Sequence, residues 1–341
     1  MLEVKNVTKR YGKNVACNDV SFTLEPGTLT VLLGPNGAGK STIIKSIIGF
    51  LKFDGSITVN GLPNKTSAAR KVLGYIPEMP SLYPTLTVIE HMEFIARAYK
   101  MTDYKDRVNM LLERFELDDK RKKFGDELSK GMQQKLNLCL GLLPDPDIIL
   151  LDEPTAYLDY PSKIAMMLLL HRLAKALKKT IFMSTHDLEH ALQVADQVWL
   201  IDHEKGLTTG MPEDLSIDGS IEQYFAKENM MFDREACTFS IEYETARDII
   251  VEGKPDTLEY RLCCKALMRN GMKPVASATG TNATTDVTIK IPGDGTYRLI
   301  EKGKETVKVE KMAHLLHMIV PAITKYHISA IREAAEMNQY E

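Results

Sequence analysis

A glycine-rich loop near the start of the chain has the residue types and spacing of a phosphate-binding loop. Gly34–Thr42 reads GPNGAGKST, which matches the pattern G-x-x-x-x-G-K-[ST] between an apolar run and a helical pattern. Its glycines allow several N–H groups to face one anion. Lys40 is placed for the terminal phosphates and the Ser41 hydroxyl for Mg²⁺. The residues expected at the phosphates are Asn36, Gly37, Gly39, Lys40, Ser41 and Thr42.

Two carboxylates end a later apolar run, where charge is costly unless a ligand needs it. In Leu151-Asp152-Glu153, Asp152 is expected to hold Mg²⁺ through water, and Glu153 to point elsewhere and polarise an attacking water. His186 ends another apolar run. Because parallel strands bring their carboxyl ends to one edge of a sheet, we expect His186 to reach the edge that holds Asp152, where a neutral imidazole can donate to the γ-phosphate.

A second stretch with features of an anion site lies far along the chain from the first. Leu128–Lys135 reads LSKGMQQK and contains a hydroxyl at Ser129, a glycine at Gly131 and the start of a helical pattern. Tyr11, near the beginning of the chain, is a candidate for stacking on adenine. In isolation, Tyr11 fits an ordinary core or surface tyrosine better than a residue that stacks on a base.

The elements that must position these residues alternate between strand and helix up to about residue 215. The pattern predicts a parallel α/β core with an all-helical insertion at about 79–145. Strands are predicted at 20–24, 28–33, 72–76, 147–151, 180–184 and 198–201. Helices are predicted at 39–51, 87–99, 103–115, 129–143, 161–177 and 187–195.

The pattern changes after residue 215, and 216–341 is predicted to be a separate α+β domain. Its role is left open between an accessory domain that docks on the first domain or on a second copy of it and a regulatory or substrate-sensing one. Gly and Thr crowd a predicted loop at 278–285, and Pro321 is expected to bend the last helix. Strands are predicted at 238–243, 286–291, 297–301 and 306–309, and helices at 257–270 and 311–336.

Composition, net charge and the lengths of the apolar runs indicate which broad classes of protein this chain fits. The 341 residues are 44% hydrophobic and 26% charged, which is ordinary for a globular protein with a real core. A net charge of -3 argues against broad attraction to nucleic acid, so no nucleic-acid partner is expected. We see neither a signal peptide nor an apolar run of the about 20 residues that a membrane helix needs, so another chain must supply any membrane spans.

Together, these motifs resemble the nucleotide-binding subunit of an ATP-binding cassette (ABC) transporter over about residues 1–215. Six motifs occur in the order of that family. They are Tyr11, Gly34–Thr42, Glu78 at the glutamine-loop position, Leu128–Met132 as the signature, Leu151–Pro154, and Ala156–Asp159 with His186.

The resemblance implies a P-loop NTPase cassette with an N-terminal antiparallel β portion beside the parallel core. It also implies a head-to-tail dimer that buries two ATP molecules with Mg²⁺. Ser129 and Gly131 would bind the γ-phosphate of ATP held by Lys40 of a second cassette, most simply an identical copy. Asp159 would link the two sites across the interface. The segment Met79–Tyr83 and the helices after it would form the groove that receives a helix of a transmembrane permease, with local packing as the alternative for the segment. The protein would then sit peripherally on the cytoplasmic face of the cell membrane.

Several residues depart from the usual family pattern. Lys130 and Met132 replace the common Gly and Gln of the signature, and such variants resemble the export branch that handles drugs, peptides and polymers. Glu78 stands where Gln is usual; its carboxylate can still offer an oxygen to Mg²⁺, with added negative charge beside the phosphates. Tyr157 replaces a small residue. The alternatives to an exporter are an importer subunit and a soluble ABC ATPase that acts on ribosomes or DNA.

Overall fold

The structure is a computed structural model that describes residues 1–276, 287–301 and 303–319. The predicted loop at 278–285, Pro321 and the helix beyond 319 lie outside these residues. The chain falls into two compact units, one of Met1–Lys227 with Met231–Ser240, the other of Glu228–Met230 with Ile241–Glu341. The predicted domain limits stay a prediction, and the first unit includes chain that this prediction gave to the second domain.

The first unit contains two sheets, a terminal hairpin and the helices that pack on them. Its strands are β1 (Leu2–Tyr11), β2 (Asn14–Leu24), β3 (Leu29–Leu33), β4 (Asp54–Val59), β5 (Leu62–Pro63), β6 (Leu73–Ile76), β7 (Ile148–Asp152), β8 (Thr180–Thr185), β9 (Gln197–Asp202), β10 (Gly206–Gly210), β11 (Met230–Asp233) and β12 (Thr238–Ile241). Its helices are α1 (Lys40–Ile47), α2 (Ser67–Lys71), α3 (Val88–Ala98), α4 (Lys105–Arg114), α5 (Lys130–Leu142), α6 (Tyr160–Leu177), α7 (Leu188–Val194), α8 (Pro212–Ile217) and α9 (Ser220–Phe225).

The larger sheet has six strands in the order β10-β9-β3-β8-β7-β6. All pairs are parallel except β10 with β9. Every residue of β3, β7 and β8 is buried, as expected for strands covered on both faces. Because β3, β7 and β8 run in the same direction, the residues that follow them meet at one edge.

The smaller sheet is antiparallel, in the order β2-β1-β4-β5. Its buried face packs with α1 and one side of the larger sheet, while α3 to α7 share the core on the other side. The predicted parallel core, the N-terminal antiparallel part and the helical insertion are therefore confirmed. Helix α1 ends at Ile47, short of the predicted 51, because Gly49 turns the chain with φ +84°.

The second unit has one five-stranded sheet in the order β14-β13-β15-β16-β17. Strand β13 is parallel to β14 and β15, and the remaining pairs are antiparallel. Its core includes Ile249, Val251, Leu267 and Leu315, which confirms an α+β fold. Its elements are β13 (Arg247–Glu252), α10 (Leu258–Arg269), β14 (Met272–Ala276), β15 (Val287–Lys290), β16 (Tyr297–Glu301), β17 (Lys304–Val309) and helical residues 312–319.

The predicted strand at 238–243 lies elsewhere than expected. It forms β12, which pairs with β11, and the rings of Phe232 and Phe239 lie 5.0 Å apart on the core of the first unit. Among the described residues, none of the helices combines the length and the hydropathy of a membrane span.

Candidate active site

The phosphate loop connects the end of β3 to the start of α1, and its glycines are required by close packing. Gly39 is the N-cap of α1 with φ +97°, and a Cβ there would lie 2.3 Å from the carbonyl oxygen of Ala16. A Cβ at Gly34 would lie 2.3 Å from the carbonyl oxygen of Ile201. No side chain fits either gap. The loop can therefore curl with its N–H groups near the start of a helix, where anions are favoured.

Lys40 is buried inside this loop. Its Nζ donates to the carbonyl oxygens of Gly34 and Pro35, at 2.8 and 3.3 Å, and lies 3.7 Å from Oε1 of Glu153. The ammonium is thus held by acceptors along the loop, and Lys40 is only 6% exposed. A triphosphate in this loop would meet a cation that is already positioned.

A cavity of about 360 Å³ lies over the loop. Its lining brings most of the predicted site residues together at the carboxyl edge of the larger sheet. The lining residues are Asn36, Gly37, Ala38, Gly39, Lys40, Ser41, Thr42, Glu78, Glu153 and His186.

Ser41 and Asp152 form a pair of oxygen ligands suited to Mg²⁺. The Ser41 hydroxyl donates to Oδ1 of Asp152 at 2.8 Å, and the Ser184 hydroxyl donates to the same oxygen at 2.9 Å. Within the described residues, no group of three or more His, Cys, Asp or Glu side chains could hold a metal. A cation here would therefore need phosphate and water oxygens as well, as Mg²⁺ commonly does.

Glu78 lines the same cavity, so the residue at the glutamine-loop position adds negative charge to it. The effect is visible at a neighbour: burial raises the pKa of Tyr75 to about 12, with Asp152 and Glu78 contributing in the same direction. The negative charges of Asp152 and Glu78 repel each other, and a bound divalent cation would offset this repulsion.

Glu153 lies between two cationic or protonatable groups. It has a left-handed backbone, with φ +47°, and is buried. Its Oε2 is 2.9 Å from Nδ1 of His186, and its Oε1 faces Lys40. His186 lies at the edge of the sheet that holds Asp152, and the carboxylate that it contacts is that of Glu153. Glu153 also lines the cavity over the phosphate loop, together with Lys40.

The Glu153 contact determines which proton His186 can offer. A carboxylate accepts hydrogen bonds, so Nδ1 must carry the proton in this arrangement. A neutral ring then has no proton on Nε2. Donation from a neutral His186 to a γ-phosphate, as predicted from the sequence, requires this contact to break; otherwise the ring must be protonated.

Tyr11 lies at the end of β1 and is half-exposed. The Nζ of Lys9 stands 4.8 Å from its ring centroid and covers one face. Its neighbour Arg10 lines a second cavity, of about 860 Å³, which shares Gly37 and Ala38 with the phosphate cavity. The other face of Tyr11 is the one left for stacking.

Ser129 and Gly131 are not brought to the phosphate loop of their own chain. They line a third cavity, of about 590 Å³, and among the described residues its lining has none in common with the phosphate cavity. Ser129 is the exposed N-cap of α5 and accepts a hydrogen bond from the amide of Met132 at 3.3 Å. Asp159 is the N-cap of α6, where hydrogen bonds from Ser162 lower its pKa.

Two of the departures from the family pattern contact each other. The Nζ of Lys130 lies 4.9 Å from the ring centroid of Tyr157, a cation–π contact between the signature helix and the segment before Asp159. Tyr157 holds φ +66°, which is strained for an aromatic residue.

We expect Lys130→Met and Tyr157→Leu to be non-additive in stability, because each change alone removes the same contact. The coupling should be about 0.5–1 kcal/mol, as for exposed cation–π pairs. Urea unfolding of the single and double variants measures this coupling, with Tyr157→Phe as a control that keeps the ring. Strict additivity would show that the two side chains do not interact.

The segment Met79–Tyr83 presents apolar surface. Met79 is 66% and Tyr83 52% exposed, while Leu82 packs on the core. The segment is shaped by buried His91, whose Nε2 accepts from the Tyr83 amide at 2.9 Å and whose Nδ1 lies 2.9 Å from the Thr87 carbonyl. Local packing therefore explains Leu82, and the Tyr83 ring also meets the ring of Phe94 edge-on, with the centroids 5.4 Å apart. More than half of Met79 and of Tyr83 nevertheless stays exposed.

Residues 17–156 match the ABC transporter domain family. The chain is 37% identical over 210 residues to the SkfA peptide export ATP-binding protein SkfE of Bacillus subtilis (strain 168), covering 59% of this chain and 85% of that protein. The chain belongs to the ABC transporter family. This ABC protein is an ATP-binding, ATP-hydrolysing subunit of a transporter, as the motifs predicted.

Two further comparisons support the assignment. The ABC protein is 36% identical over 219 residues to the Nod factor export ATP-binding protein I of Burkholderia orbicola (strain AU 1054), covering 63% of this chain and 72% of that protein. A solved structure described as a dimeric bacterial ABC transporter cassette matches with a TM-score of 0.54 and 27% identity, over 59% of this chain and 94% of that one. The predicted fold class is confirmed.

Some residues of this ABC ATPase with contacts at the site were not singled out from the sequence. Ser184 pairs in register with Asp152 across β7 and β8, and its Oγ also accepts from the Glu153 amide at 3.1 Å. A serine at the end of a buried strand, one strand from Asp152, was the available signal. His203, in the turn after β9, contacts the phosphate loop and had no such signal.

Proposed function

We propose that this ABC ATPase drives export as one of two head-to-tail cassettes, each completing the nucleotide site of the other. One observation carries the proposal: within a single chain, the phosphate loop and Ser129–Gly131 line separate cavities. An exposed serine at a helix N-terminus suits the γ-phosphate of a nucleotide bound to another cassette. The similar dimeric cassette supports such pairing.

The side chains of the phosphate cavity have distinct roles in this proposal. Lys40 exchanges its hydrogen bonds with the Gly34 and Pro35 carbonyls for contacts with the β- and γ-phosphates. Ser41 and Asp152 hold Mg²⁺, with Glu78 nearby; when bound, the ion neutralises charge on the phosphates. Tyr11 stacks on adenine with its uncovered face.

Glu153 is the general base in this proposal. Glu153 accepts a proton from the attacking water, while His186 orients the Glu153 carboxylate from the side opposite Lys40. Because Glu153 already lies near Lys40, the charge it would add beside the γ-phosphate is partly balanced before hydrolysis. Hydrolysis then removes the phosphate that joins Ser129 of one copy to Lys40 of the other, and the pair separates.

Three features favour export through separate transmembrane subunits. The curated relatives reported above are named for export. Lys130 and Met132 in the signature resemble the export branch. The exposed Met79 and Tyr83 offer apolar surface for a permease helix, which would place the ATPase peripherally on the cytoplasmic face of the cell membrane.

Mixing two inactive variants tests the composite site. Lys40→Ala disables the phosphate loop, and Gly131→Asp places a negative charge where the γ-phosphate of the other copy should bind. Each variant alone should be inactive, whereas a mixed dimer contains one intact site. A randomly paired 1:1 mixture should therefore recover about a quarter of the parent ATPase activity, because half the dimers are mixed and each has one of its two sites intact.

The control mixture combines the Lys40→Ala variant with a double variant that carries both Lys40→Ala and Gly131→Asp. Because both chains lack Lys40, no dimer in this mixture has an intact site. If each cassette completed its own site, the two single variants would stay inactive when mixed. That outcome would contradict the head-to-tail arrangement without affecting the assignment of the phosphate loop.

A further inference from the structure

The tip of the phosphate loop is held by a histidine from a distant part of the chain. The Nε2 of His203 lies 2.7 Å from the carbonyl oxygen of Gly37. Because a carbonyl oxygen only accepts hydrogen bonds, Nε2 must carry a proton and donate it. Both the neutral Nε2–H ring and the imidazolium can make this bond. The contact therefore depends on the position of the ring and not on its charge.

The peptide between Gly37 and Ala38 is bound on both of its edges. In a trans peptide the C=O and the N–H point in opposite directions. The carbonyl of Gly37 faces His203, and the amide of Ala38 donates to the Pro35 carbonyl at 3.2 Å. With φ +90° and nothing within 4 Å of where a Cβ would stand, Gly37 is not restrained by side-chain packing. The two hydrogen bonds therefore set the orientation of this peptide.

The turn that carries His203 is itself braced. Oδ1 of Asp202 accepts from the amides of Glu204 and Lys205, at 2.9 and 3.3 Å, and these bonds lower the pKa of Asp202. The hydroxyl of buried Tyr224, on α9, donates to the Lys205 carbonyl at 3.2 Å. Lys205 in turn donates from Nζ to the backbone of Gln223 on α9. The turn is thus held by hydrogen bonds between its own residues and by hydrogen bonds to residues of α9.

We propose that His203 is a positioning residue that holds the phosphate loop in its nucleotide-accepting shape before ATP arrives. It keeps the Gly37 carbonyl oxygen, which would repel phosphate, engaged with a proton donor. Helix α9 supports it through Tyr224, so chain beyond residue 215 contributes to the nucleotide site. This inference rests on the proposed role of Gly34–Thr42 as the ATP phosphate loop.

The test compares His203→Ala with His203→Gln in the full chain. Loss of one hydrogen bond should raise the Kd for ATP roughly 3- to 10-fold in His203→Ala, with kcat at saturating ATP nearly unchanged. His203→Gln should recover most of the affinity, because its amide nitrogen can donate from a similar reach. Tyr224→Phe should weaken ATP binding in the same direction and by less.

The matched control is His314→Ala, an exposed histidine of the second unit, which should bind ATP like the parent. Unchanged ATP affinity in His203→Ala, or equal weakening in the Ala and Gln variants with a lower Tm, would overturn the proposal. Lys40→Ala distinguishes a failure of the phosphate-loop assignment from a failure of the role proposed for His203. If it still binds ATP, the loop assignment is wrong; if it loses ATP while His203→Ala does not, only the role of His203 is wrong.

Discussion

Glu153→Gln is expected to lower kcat for ATP hydrolysis by about 100-fold or more, the range for loss of a general base. Glutamine keeps the shape of the side chain but cannot take a proton from water. ATP affinity should be equal to the parent or higher, because the substitution removes a negative charge that lies 3.7 Å from the Lys40 ammonium. Phosphate release under saturating ATP measures kcat, and equilibrium binding of ATP measures affinity.

Glu189→Gln is the matched control, since Glu189 lies exposed on α7 and outside the phosphate cavity. It should hydrolyse ATP at the parent rate. Turnover of Glu153→Gln within a few-fold of the parent would remove Glu153 from the role of base. Equal losses of kcat and ATP affinity would instead indicate that the substitution damages the cavity as a whole.

Lys40→Ala should weaken ATP binding by roughly 30- to 1000-fold, which corresponds to the about 2–4 kcal/mol of one or two charge-assisted hydrogen bonds. The reason is the position of the ammonium, which is buried and fixed by the Gly34 and Pro35 carbonyls at the floor of the cavity. The shift of Tm with added ATP gives a second measure, because a ligand that binds only the folded state stabilises it by RT ln(1 + [L]/Kd).

Lys45→Ala, one turn further along α1, is the control that changes the same residue type outside the cavity. It should bind ATP like the parent and show the same ATP-dependent rise in Tm. If Lys40→Ala also kept the parent's affinity, the triphosphate could not lie in this loop. If both lysine variants had a lower Tm without nucleotide, the loss of ATP binding would come from a destabilised α1 and not from a missing phosphate contact.

The phosphate loop was predictable because its constraints are local. A strand, a helix start and glycines at fixed spacing are all readable in one stretch of sequence, and the structure shows why Gly34 and Gly39 tolerate no Cβ. The shared edge of β7 and β8 was predictable for the same kind of reason, since apolar runs identified both strands.

The remaining contacts depend on which distant elements become neighbours. His203 meets Gly37 only because β9 pairs with β3, and the pairing partner of a strand cannot be read from its own residues. The contact between His186 and Glu153 forms where the Glu153 backbone is left-handed. No local pattern indicated that conformation for a glutamate.

The first compact unit includes chain beyond residue 215, for a reason that no local pattern contains. Strand β12 has the alternation of an ordinary strand, which does not indicate the core on which it packs. In the structure Phe232 packs on the first core, and buried Tyr224 braces the turn of His203. Burial against a distant surface, and not local propensity, decides where this part of the chain belongs.

The central claim is that two cassettes share each ATP. A cryo-EM map of Glu153→Gln with ATP and Mg²⁺ tests it most directly. The account predicts two triphosphates between two chains, with the Ser129 hydroxyl of one copy within about 3 Å of a γ-phosphate oxygen held by Lys40 of the other. A nucleotide-loaded map in which Ser129 contacts no triphosphate would contradict it.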